Sequence, residues 1–124
     1  MAKNNLGLLY DSYPTALANG QTAYVELPVA DGILGIQLRW ADGTSSATIT
    51  LESTNLSPNG PHPVASDSTT AGDWNDEGVT LVGPTASATR GSSTNLGNLG
   101  MARYRLKIVA AADTKLQVIA NWKE

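Results

Sequence analysis

The sequence contains no cysteine and no phenylalanine, a single histidine, and little charge: Asp, Glu, Lys and Arg make up 15% of its 124 residues. An average soluble domain carries roughly 25%. Without cysteine there is no disulfide framework, no thiolate nucleophile and no thiolate-ligated zinc or iron–sulfur site. The lone histidine, His62, sits between Pro61 and Pro63. A Ser-His-Asp triad requires an imidazole oriented by a second side chain, and a proline-flanked histidine reads instead as an exposed loop residue. No Gly-x-Ser-x-Gly, P-loop, dinucleotide-binding or His-Glu-x-x-His pattern occurs. The chain is therefore expected to be non-enzymatic and to use no cofactor.

Basic residues are also few. Eight Lys and Arg stand against eleven Asp and Glu, a net charge of −3. Nucleic-acid binding rests on a large basic footprint, so no nucleic-acid partner is expected. No apolar run approaches the roughly 20 residues of a membrane-spanning helix, so no membrane partner is expected. The apolar patch at residues 6–10 is too brief for a signal-peptide core, which implies an unprocessed product. The length suits one domain.

What is present is period-2 alternation. In Gly35-Ile36-Gln37-Leu38-Arg39-Trp40, Ile36, Leu38 and Trp40 fall on one face. Successive side chains of a strand point to opposite faces, so this is a half-buried strand. An Asp42-Gly43 turn signal follows, and Ala47, Ile49 and Leu51 alternate with Thr48, Thr50 and Glu52. Residues 34–52 read as a β-hairpin. A second hairpin is expected at the end of the chain. There Tyr104, Leu106 and Ile108 share one face, as do Leu116, Val118, Ala120 and Trp122. Weaker strands are expected at 22–27, 79–82 and 6–10, the last as an edge or docking strand. No stretch carries the apolar stripe of an amphipathic helix.

Residues 55–78 and 84–100, rich in Pro, Gly, Ser, Thr and Asn, read as long loops. The expected fold is all-β: a single antiparallel β-sandwich of six to eight strands, jelly-roll-like or otherwise, over residues 21–124, preceded by an N-terminal docking segment at 1–20.

Three groups of residues are candidates for binding. Asp67, Asp73, Asp76 and Glu77 surround Trp74. Calcium takes about six to eight oxygen ligands, some of which this group offers, but the spacing matches no EF-hand loop, and a plain acidic loop is the simpler reading. Among the tryptophans, Trp40 and Trp122 lie in phase with apolar faces. Trp74 alone is expected to be open for stacking on a sugar. Finally, Arg103, Arg105 and Lys107 share the outward face of one strand, with Arg39 similarly exposed. They read either as a docking stripe for an acidic protein surface or as a solvated face with cross-strand partners such as Glu26 and Glu52.

Three blocks carry a family resemblance. The first is Gly35-Ile36-Gln37-Leu38-Arg39-Trp40 with Ala47-Thr48-Ile49-Thr50-Leu51-Glu52-Ser53-Thr54-Asn55. The second is Val64-Ala65-Ser66-Asp67 with Thr69-Thr70-Ala71-Gly72-Asp73-Trp74. The third is Arg103-Tyr104-Arg105-Leu106-Lys107-Ile108-Val109 with Val118-Ile119-Ala120-Asn121-Trp122-Lys123. Together these resemble small β-sandwich virion proteins of tailed bacteriophages. The resemblance implies a structural protein of the virion, assembled in the host bacterial cytoplasm. Within that role it implies a capsid decoration (cement) protein that binds the major capsid protein from outside, self-associates as a homotrimer and stabilises the shell. A tail or host-contact component with a carbohydrate-binding β-sandwich is the alternative. The N-terminal residues 1–31 have no counterpart in the resemblance.

Overall fold

In a computed structural model, residues 4–28, 33–83, 91–98 and 103–123 are described. Their strands are β1 (Asn4–Asp11), β2 (Thr22–Glu26), β3 (Ile33–Trp40), β4 (Ala47–Thr54), β5 (Asn75–Gly83), β6 (Gly91–Asn98), β7 (Arg103–Ala110) and β8 (Leu116–Lys123). They form two four-stranded antiparallel sheets, ordered β1-β8-β3-β6 and β2-β7-β4-β5. This is the strand order of a jelly roll, so the expected all-β sandwich is the fold. Each sheet turns its apolar positions inward. Ile36, Leu38, Trp40, Leu116, Val118 and Ala120 from one sheet meet Val25, Ala47, Ile49, Leu51, Leu106 and Ile108 from the other in one core.

The two hairpins expected from alternation do not form. β3 and β4 lie in different sheets, and so do β7 and β8. Alternation specifies which face of a strand is buried, and an arch between sheets satisfies that as well as a hairpin does. Asp42 decides the first case. Its carboxylate accepts from the backbone N–H and hydroxyl of both Thr44 and Ser45 at 2.8–3.1 Å, which ends β3 and turns the chain toward the opposite sheet. These bonds, the Thr44 hydroxyl first, hold the Asp42 carboxyl below its ordinary range. The two arches then bond to each other. Ala41 N donates to Lys115 O, Lys115 N to Ser45 Oγ, and the Thr114 hydroxyl to Ser46 O, at 2.9–3.0 Å. Among the described strands, β4 and β5 are the one consecutive pair sharing a sheet.

Three further boundaries differ. β5 begins at Asn75, inside the expected first loop. A bulge offsets its register against β4 between Thr50 and Glu52, with Gly78 at φ 76° where a side chain would be strained. β6 occupies 91–98 of the expected second loop and pairs with β3, while 84–90, 99 and 100 lie outside the described residues. Within residues 1–20, the strand expected at 6–10 is the edge strand β1, longer than expected and hydrogen-bonded along β8, and Leu17 forms a bridge with Thr114. Gly7 packs closely there: a Cβ would come 3.1 Å from the Trp122 ring, which would have to shift by a few tenths of an ångström.

Candidate functional site

The outward positions of β7 place Arg103 and Arg105 side by side, with Lys107 beyond them. β7 is flanked by β2 and β4, so each guanidinium faces a carboxylate on a neighbouring strand. Arg103 grips Glu26 through Nη2–Oε1 at 2.5 Å and Nε–Oε2 at 3.3 Å. Arg105 Nε donates to Glu52 Oε1 at 2.8 Å. The partners expected from the sequence are thus those found.

Loop 55–74 closes over this row. Its carbonyls point down at the guanidinium groups. Arg103 Nη1 donates to Leu56 O at 3.0 Å and Val64 O at 2.9 Å. Arg105 Nη1 donates to Ser66 O at 3.0 Å and Ser68 O at 2.8 Å. A loop lying on a sheet must satisfy its inward backbone groups, and here charged donors do so. Pro58, Pro61 and Pro63 lack N–H groups and reduce what has to be satisfied. Trp74 completes the cover. The Arg103 and Arg105 guanidinium carbons lie 5.0 and 4.6 Å from its ring centroid, and its Nε1–H donates to Ala65 O at 3.0 Å. Tyr24 stacks on Arg105 at 4.2 Å.

The result is buried. Arg103, Arg105 and Trp74 are 9%, 3% and 7% exposed. This corrects two expectations. Trp74 is not open to a sugar, because guanidinium groups and its own loop cover it. Arg103 and Arg105 do point away from the core, but they form no solvated stripe, because the loop lies on them. Lys107 continues the row half-buried. Arg39 belongs to the other sheet, where it is exposed and donates to Gln117 Oε1 at 3.2 Å. The five candidates therefore lie in two places and form no common surface.

The acidic residues disperse. Asp73 accepts from the Ser68 hydroxyl at 2.6 Å, Asp76 accepts from Gly78 N at 2.7 Å, and Glu77 accepts from the Ser53 hydroxyl. Asp67 and His62 are exposed. Among the described residues, no group of three or more His, Asp or Glu side chains is placed to hold a metal ion. The Glu26 carboxyl titrates below its ordinary range. The Arg103 hydrogen bond chiefly lowers it, burial opposes, and the Ser66 hydroxyl at 2.7 Å and the Arg103 charge assist.

Sequence reasoning missed a second polar knot under the arches. Ser12, Ser45 and Thr114 are all buried. The Ser12 hydroxyl donates to Thr114 O at 2.9 Å and accepts from Leu116 N at 2.8 Å. Its only sequence signal is Ser and Thr at strand connections, which is too common to single out. Chemically, both clusters are fasteners: their strong groups are engaged within the chain. The comparisons add no relative, for no family model, curated protein or solved structure shows significant similarity to this chain.

Proposed function

We propose that the chain is a non-enzymatic structural protein of a bacteriophage virion, a decoration protein that binds the outside of the major capsid shell and stabilises it. One observation carries the reading. Arg103, Arg105 and Trp74, the candidates expected to be open for binding, are engaged in pinning loop 55–74 to its sheet. Among the described residues, the exposed side chains on the outward face of β1-β8-β3 include Leu6, Leu8, Gln37 and Asn121 beside the charged Asp11 and Arg39. A rigid body with such a face suits adhesion by shape and apolar contact rather than turnover. The jelly-roll order is common among capsid proteins, although it also serves lectins and enzymes, so it supports the reading only by analogy. A sugar-binding tail component would need an aromatic platform other than Trp74.

The experiment is direct. Purified virions of the encoding phage are expected to carry the chain in many copies, visible on the head by cryo-electron microscopy. Its absence from the head would overturn the proposal.

A further inference from the structure

β1 is an edge strand. β8 pairs with one side of it, and among the described residues no strand pairs with the other. Such an edge offers unpaired N–H and C=O groups to any extended partner, and proteins usually blunt it with proline, lysine or inward charge. Asn4–Asp11 contains no proline and no cation, and its one charge, Asp11, stands at its end. Its register against β8 is regular from Asn4 to Leu8, and the bulge falls only between Leu8 and Tyr10. Leu6 and Leu8 project outward from this stretch, 77% and 54% exposed, the two most exposed large apolar side chains among the described residues. Ile119, directly opposite Leu8 on β8, extends the apolar strip and is half-buried.

We infer that β1 pairs antiparallel with β1 of a second copy of this chain, joining two four-stranded sheets across a two-fold axis. The strand is self-complementary in that arrangement. Opposed residues of an antiparallel pair show side chains on the same face, so outward residues must meet outward residues. A two-fold axis through Gly7 sets Leu6 of each copy against Leu8 of the other, which brings four leucines together between the two Ile119 side chains. The two Asp11 residues are kept about 26 Å apart at roughly 3.3 Å per residue, well beyond the screening length. A two-fold contact of this kind is isologous, uses the β1 edge of each copy and closes at two copies.

This inference goes beyond the shell reading and does not depend on it, because it concerns the chain alone in solution. The test is sedimentation equilibrium of the full chain over a dilution series, with Leu8→Lys beside it. Leu8 is exposed, so the variant keeps its fold, checked by β circular dichroism. Twice the chain mass is expected, with self-association weakened at least about tenfold by Leu8→Lys. A monomer throughout, a three-fold particle, or a dimer indifferent to Leu8→Lys overturns the inference. The register is read separately. As the chain has no cysteine, Leu6→Cys and Leu8→Cys proteins are mixed and oxidised. The mixed disulfide dimer is expected to form faster than either self-linked dimer, and faster self-linking of Leu6→Cys would overturn the axis through Gly7.

Discussion

Arg105 lies 2.8 Å from Glu52 across the β7–β4 ladder, both side chains almost sealed from water. The pair sits under a loop whose Ser66 and Ser68 carbonyls both accept from Arg105 Nη1. A buried ion pair is costly to desolvate, and its value lies in what breaks when one partner goes.

Arg105→Ala is therefore expected to destabilise the fold by about 3 to 5 kcal/mol, because Glu52 keeps a buried charge and the Ser66 and Ser68 carbonyls lose their donor. Urea denaturation measures this. Glu52→Leu combined with Arg105→Met is expected to cost less than Arg105→Ala alone, since it removes both charges and retains volume.

Trp74→Ala is expected to cost about 3 to 5 kcal/mol, the range for emptying a buried tryptophan site. It also lifts the cover from both guanidinium groups. Limited proteolysis is expected to cut loop 55–74 in the variant well before the parent. Because the Trp74 ring is covered, sugars are expected to leave its fluorescence in the parent unchanged.

Acid is expected to weaken the fold through Glu26 and Asp42. Both carboxyls titrate below their ordinary values in the folded chain. The unfolded chain then binds the proton more tightly, so their contribution is complete above the ordinary carboxylate range. It is lost as pH falls through the folded values. Glu26→Gln and Asp42→Asn should each lower the urea midpoint near neutrality and flatten its decline in acid. An unchanged acid slope in both variants would contradict this.

Ser12→Ala is expected to cost about 1 to 3 kcal/mol, because the Leu116 N–H loses its hydroxyl acceptor in a site closed to water. Amide exchange at Leu116 should accelerate more than at its neighbours on β8.

Much of the strand inventory was legible in residue order. Ile36, Leu38 and Trp40, or Leu106 and Ile108, alternate with polar residues, and each set is buried. β6 was not legible: Gly-Ser-Ser-Thr-Asn-Leu-Gly-Asn shows no alternation, and β3 beside it supplies its hydrogen-bond ladder. Within the candidate site, the pairing of Arg103 and Arg105 with Glu26 and Glu52 was open to inference from charge. The burial of Trp74 was not, since a tryptophan in a polar loop looks the same in sequence whether it is covered or free.

The sequence by itself determined that this protein is all-β, which face of most strands enters the core, and which chemistries it has no residues to perform. Side-chain pattern carries that information because burial acts on side chains. The tertiary structure alone decided which strands are neighbours, that both apparent hairpins are arches between sheets, and that loop 55–74 lies on its own arginines. Those choices are made by backbone hydrogen bonds and by carbonyls meeting guanidinium groups far apart in the chain, and backbone groups are the same at nearly every position.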